Sequence, residues 1–192
     1  MLLHRIEQLL ARVPGQRSPR DGEPPRAAVA LIFRPADDPD VLLIRRAERA
    51  GDPWSGQIAL PGGRWSAGDA SLEATAIRET REEIGLDLAL RGTVLGALDE
   101  LRPRTPHLPP IIVRPYVAVL SPPYDLTLNH EVAEAFWVPW SELAHPQATR
   151  DSVLTVRGTV RTVPSLVVGG QVIWGLTERI IRQLLLGLAS GA

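Results

Sequence analysis

Two adjacent glycines, Gly62 and Gly63, precede Asp69 and then the run Arg78-Glu79-Thr80-Arg81-Glu82-Glu83-Ile84-Gly85-Leu86. Residues three and four apart share one face of a helix. On a helix, Glu79, Glu82 and Glu83 would therefore project together from a single turn. Like charges so placed cost a few tenths of a kcal/mol per pair. Near a helix C-terminus the macrodipole adds roughly 0.3–1 kcal/mol per carboxylate. A hard divalent cation would relieve both penalties, since Mg²⁺ takes carboxylate oxygens together with phosphate oxygens. Gly62 and Gly63 would let the backbone approach the cluster and offer the Gly62 carbonyl as a ligand. Facing a phosphate, such a cluster could hold it only through such ions. Taken alone, the run equally fits a solvated charged face screened by Arg78 and Arg81.

Several elements must position these residues. Residues 71–84 predict a helix capped by Asp69 or Ser71 and ended by Gly85 in the left-handed conformation. Short apolar runs predict strands at 27–33, 41–44, 57–60, 94–98, 111–120 and 132–138, with a hairpin loop at 36–40. Residues 162–168 and 171–174 predict a hairpin about Gly169-Gly170. Residues 1–12 and 176–188 carry apolar positions at helical spacing. Pro/Gly-rich residues 13–26, 51–56 and 102–110 read as loops. The expected organisation is an N-terminal amphipathic helix and linker over 1–25, then a single domain over 26–192. This mixture of strands and helices indicates an α/β (α+β) fold.

Composition narrows the function. The 192 residues suit one packed domain. A net charge of −1 supplies no basic excess for nucleic acid, although every basic residue is arginine. Cysteine is absent, which excludes disulfides and thiolate metal sites. No apolar stretch reaches the about 18 residues of a membrane span, and the N-terminus lacks a signal-peptide pattern. A cytoplasmic location is the expectation, with neither membrane nor nucleic acid as partner. The N-terminal helix covers the core or mediates a homodimer.

The glycine–glutamate stretch resembles the Nudix box, which is a glycine, five residues, a glutamate, seven residues, Arg-Glu, an aliphatic residue, any residue, Glu-Glu, any residue, glycine and an aliphatic residue. Gly63, Arg78, Glu79, Glu82, Glu83, Gly85 and Leu86 fill it. Asp69 replaces the first glutamate, eight residues separate it from Arg78, and Thr80 replaces an aliphatic residue. The aspartate and the extra residue resemble the coenzyme A pyrophosphatase branch of the family. So do Leu42-Leu43-Ile44-Arg45-Arg46, the segment from Gly56-Gln57 to Gly62-Gly63, Glu131-Val132, Phe136-Trp137-Val138-Pro139 and Ile173-Trp174-Gly175-Leu176-Thr177. The similarity runs from about residue 27 to the C-terminus. Trp54 stands where that branch has a histidine.

The resemblance implies an α/β/α sandwich with a mixed sheet and a loop–helix–loop motif. It implies hydrolysis of a diphosphate in a small-molecule nucleotide derivative, with Mg²⁺ or Mn²⁺ as cofactor. Glu79, Glu83 and Glu82 are the expected metal ligands, with the Gly62 carbonyl. Arg78 orients the glutamates, leaving the helix on a different side from Glu79. The general base is Glu82 or Glu131, with Asp99 and Glu100 as weaker candidates. Gly63, Arg46 and Arg64 are the expected substrate contacts, Arg46 being favoured for a 3′-phosphate. Coenzyme A or acyl-coenzyme A would yield 3′,5′-ADP and the 4′-phosphopantetheine product. The alternatives are ADP-ribose or another nucleoside diphosphate derivative as substrate, and a catalytically silent nucleotide-binding domain.

Overall fold

The computed structural model describes residues 1–18, 24–103, 110–156 and 158–190. Helix α1 (Leu2–Arg12) comes first. Strands β1 (Arg26–Arg34), β2 (Asp40–Arg46), β3 (Ile58–Ala59) and β4 (Gly62–Arg64) follow. Helix α2 (Leu72–Ile84) and the single turn α3 (Leu88–Arg91) lead into β5 (Gly92–Ala97), β6 (Ile112–Leu120) and β7 (Val132–Pro139). The short α4 (Trp140–Ala144) precedes β8 (Thr149–Val156), β9 (Thr159–Val168), β10 (Gln171–Trp174) and α5 (Gly175–Ala189).

Strands β1 to β7 form one mixed sheet, in which β1 runs parallel to β6 and the other pairs are antiparallel. The apolar run of β1 is buried on both faces, as a central strand requires. Its side chains alternate: Leu31 and Phe33 enter one core with α1, α5 and the second sheet, and Ala28, Ala30 and Ile32 enter another with α2. Helices thus cover both faces, the expected α/β/α sandwich. Strands β8, β9 and β10 make a separate antiparallel sheet.

One irregularity creates the site. β1 pairs with β2 only near Phe33 and Arg34, and with β4 near Ala27, Ala28 and Val29. β2 meanwhile pairs with β3 through Ile44 and Arg45. The sheet therefore splits between β1 and β2, and the chain from β3 to β4 fills the gap. Residues 57–60 were expected as one strand, yet two short strands flank Pro61. Proline has no N–H to donate, but its carbonyl accepts from Ala30 N at 2.8 Å. The bend brings Gly62-Gly63 under α2.

Besides β4, the elements α3, α4 and β8 lay outside the sequence expectations. Helices α3 and α4 are single turns, too short for periodicity to reveal. Strand β8 (Thr-Arg-Asp-Ser-Val-Leu-Thr-Val) is an edge strand with alternate residues exposed and no apolar run. The loop expected over 102–110 lies, from 104 to 109, outside the described residues. The same holds for 19–23 of the expected linker. The rest of that linker is tied down, with Gly15 N donating to Ala97 O and Gln16 N to the Asp99 carboxylate. Among the described residues, no helix is long and apolar enough to cross a membrane.

Candidate active site

Helix α2 starts where Ser71 Oγ accepts from Ala74 N at 3.0 Å, so Ser71, not Asp69, is the cap. It ends at Gly85, whose φ of 74° is left-handed. Ala76, Thr80, Glu83 and Ile84 form its buried face. Thr80 replaces an aliphatic residue there without leaving a polar atom unsatisfied, because its hydroxyl donates to Ala76 O at 2.7 Å.

Glu79 and Glu83, one turn apart, face the twin glycines. Gly62 N donates to Glu83 Oε2 at 2.8 Å. A Cβ on Gly63 would lie 2.4 Å from the Glu79 carboxyl carbon. A Cβ on Gly62, whose φ is 145°, would lie 2.3 Å from Ala28 O. Both positions thus require glycine, one for the carboxylate and one for the neighbouring strand. Gly62 meets Glu83 through its N–H.

The expectation that all three glutamates project together needs correction. Successive helical residues are 100° apart, so Glu82 and Glu83 diverge to either side of Glu79. Glu83 is 2% exposed, whereas the Glu82 side chain is 51% exposed and does not line the cleft. Arg78 also departs from expectation. Its guanidinium folds back onto Glu79 at 2.9 Å rather than leaving on another side. It forks onto Asp69 at 2.8 and 2.9 Å, and also bonds Glu82 and the Arg64 carbonyl. Asp69 consequently anchors Arg78 and stands apart from the cleft. That fork, aided by Ser66 N–H and the Thr75 hydroxyl against the opposing effect of burial, holds the Asp69 carboxyl well below the usual range.

Glu79 and Glu83 line a cleft of about 870 Å³. Gly62, Gly63, Arg46, Arg64 and Glu131 line it too. Burial pushes Glu83 up to about 7, despite the Gly62 N–H and the positive charge of Arg46. Burial also raises Glu79, with Arg78 opposing and Glu82 and Glu131 adding repulsion. Glu131, from the loop before β7, thus acts on both box glutamates through its charge. It is held by Arg49 at 3.0 Å. Arg46 is held by Asp52 at 2.9 Å and has a buried Nε with no partner among the described residues. Arg64 is an exposed residue at the end of β4. Asp99 and Glu100, also expected as candidates, brace the N-terminal segment. The fully buried Glu100 carboxylate pairs with Arg26 and accepts from Ser18 N.

Among the described residues, no three His, Cys, Asp or Glu side chains converge closely enough to hold an ion by themselves. The donor set nevertheless fits a hard divalent cation. Mg²⁺ characteristically uses one or two carboxylates and completes its shell with water and substrate phosphates. Glu79 and Glu83 offer two such carboxylates, one turn apart beside Gly62-Gly63 and both raised chiefly by burial.

Sequence reasoning missed Asp52 and the inward face of α5, where Glu178 and Arg182 line the same cleft. Burial pushes the Asp52 carboxyl up, but Trp54 N–H and Arg46 outweigh it and leave it lowered. Glu178 and Arg182, four apart, read in sequence as a surface helix pair, and only burial distinguishes them.

The NUDIX domain profile matches residues 23–157. An uncharacterized Nudix hydrolase of Photorhabdus laumondii, NudL, is 36% identical over 82% of this chain and 82% of its own length. An uncharacterized protein of Schizosaccharomyces pombe is 34% identical over 83% of this chain, which spans 55% of that longer relative. Among solved structures, a MutT/nudix family protein from Enterococcus faecalis aligns with a TM-score of 0.58 at 22% identity, over 88% of this chain and 63% of that one. A C. elegans Ap4A hydrolase complex aligns with a TM-score of 0.51 at 23% identity, over 62% and 82%. These last two establish likeness of fold.

Proposed function

The chain belongs to the Nudix family and is a hydrolase of nucleotide derivatives; from that premise we propose that it cleaves the diphosphate of coenzyme A or an acyl-coenzyme A. The observation that carries the catalytic reading is the pairing of Glu79 and Glu83 against Gly62-Gly63 inside the cleft. Glu79 and Glu83 would hold Mg²⁺ or Mn²⁺. Bound there, the ion would neutralise diphosphate oxygens and acidify the attacking water.

The chain's own residues do the rest. Arg78 fixes the Glu79 rotamer, drawing its own orientation from Asp69. Arg46, beside Glu83, supplies positive charge toward the diphosphate. Gly63 allows the substrate backbone-close access to Glu79. Glu131 takes the proton of the attacking water as its oxygen bonds to phosphorus and the bridging P–O bond breaks. It is preferred to Glu82 because it lines the cleft and Glu82 does not. Arg64 at the rim suits the 3′-phosphate, since a guanidinium forks onto phosphate oxygens. Arg46, expected from the sequence for that phosphate, lies instead beside Glu83 and pairs with Asp52.

The coenzyme A assignment is supported by the aspartate variant of the box and by the matching segments from residue 27 onward. A panel of coenzyme A, acyl-coenzyme A, ADP-ribose and Ap4A, each with Mg²⁺ and with Mn²⁺, tests it. Release of 3′,5′-ADP from coenzyme A is expected. Fast turnover of another compound with none of coenzyme A would refute the substrate, and no turnover at all would refute catalysis.

A further inference from the structure

Beyond the box, the cleft continues over Ile58 and Leu60 to the inward face of α5. Its far walls are apolar and include Leu101, Ile111, Val113 and Leu176. Two buried carboxylates interrupt them: Glu100, which Arg26 and the Ser18 N–H already satisfy, and Glu178. Glu178 is 2% exposed, yet it lines the cleft. Among the described residues its hydrogen-bond partner is Arg182, whose Nε donates to Oε1 at 2.5 Å. Among the described residues Oε2 accepts no hydrogen bond. Nearby along the helix, Gln183 lines the same cleft with a buried Oε1 that has no partner among the described residues.

A carboxylate offers about four acceptor positions, so Glu178 keeps acceptor capacity toward the cleft beyond its bond with Arg182. A buried ion pair is weak support for stability, because apolar residues of similar volume often serve as well. Packing of α5 therefore does not account for a charge here. The placement is fixed relative to the box, since Thr177 Oγ1 donates to Ile58 O at 3.1 Å. From there the chain runs through Pro61 directly to Gly62.

We propose that Glu178, with Gln183 beside it, is a hydrogen-bond-accepting station that selects substrates whose arm beyond the diphosphate is largely apolar and carries an N–H or O–H donor. The inference rests on reading the box end of the cleft as the diphosphate site. Glu178 is a specificity-determining residue in it, not part of the hydrolytic machinery.

Pantetheine, which carries amide and hydroxyl donors and no phosphate, is the probe. Titrated calorimetrically into the full chain without added metal, it should bind wild type and Glu178→Gln within about threefold of each other, because an amide carbonyl still accepts. Glu178→Leu should bind about tenfold more weakly, the loss expected for a hydrogen bond to a charged group. In turnover, Glu178→Leu should raise KM for coenzyme A about tenfold with kcat within about twofold, and leave KM for ADP-ribose unchanged. Equal pantetheine binding by wild type and Glu178→Leu, no binding by wild type, or equal losses on both substrates would overturn the proposal. If Glu178→Leu does not fold, amide NMR of the wild type decides. Pantetheine-induced shifts centred on 175–183 support the station, and their absence there refutes it. Failure of the diphosphatase reading shows separately, as a wild type that turns over nothing, and the titration still decides.

Discussion

Glu83 is the residue on which burial, charge and chemistry meet. A carboxyl whose pKa is raised by folding favours the protonated protein. Its contribution to stability is whole below its ordinary 4.5 and is lost as pH climbs through about 7. The loss is on the order of 3 kcal/mol by the free energy of such a shift. Without metal, Glu83→Gln should therefore melt several degrees above wild type at pH 8 and level with it at pH 4, by scanning calorimetry. Saturating Mg²⁺ should erase the advantage by stabilising only the wild type. The same variant should lose turnover at least about 100-fold; unchanged rates would remove Glu83 from the site. Arg78→Lys tests the hub beside it. Lysine keeps the charge but cannot fork onto Asp69 while reaching Glu79. The expected result is a drop of about tenfold or more in kcat with a smaller change in melting temperature.

At the scale of the element, the bend from β3 to β4 and the helix α2 act as one device. Each glycine answers to a different neighbour, so their alanine variants should part company. Gly63→Ala pushes the Glu79 carboxylate aside. Activity should collapse while the melting temperature moves little, because the displaced group is a side-chain end. Gly62→Ala meets the backbone of β1 at a φ of 145°. Its cost is expected at about 1–3 kcal/mol or more, measured by urea unfolding. Equal stability of the two variants would show that the bend is not strained as described. Legibility differed along this device. The glutamates and the glycine pair were visible as spacing. The outward turn of Glu82 and the inward fold of Arg78 were not, because both depend on which side of α2 the sheet covers.

At the scale of the whole molecule, the core on the side of α1 and α5 is built from segments far apart in the chain. Ile6, Leu9 and Leu10 of α1 join Ile180, Ile181 and Leu184 of α5 there. Leu9 also lies close against Gly187, where an added Cβ would be 2.8 Å from its Cδ2. Ile6→Ala should cost about 2–5 kcal/mol, as for a fully buried isoleucine, and leave kcat/KM of the folded protein within about twofold. A large loss of activity at full stability would mean that α1 acts on the site directly. The N-terminal helix is amphipathic in sequence, but its apolar stripe alone did not say whether it covers its own core or a second chain. Here it is buried against α5 and β5.

Sequence alone determined what depends on local periodicity and residue chemistry: the span of α2 and its left-handed end at Gly85, the apolar run of β1, the family of the chain and the acidic turn at 79–83. Only tertiary structure decided what depends on distant segments meeting. The split between β1 and β2 admits Gly62-Gly63 beneath the helix. The loop before β7 brings Glu131 near Glu79 and Glu83, and α5 carries Glu178 into the same cleft. Burial, which raises Glu79 and Glu83, is set by neighbours many residues away, so no local pattern encodes it.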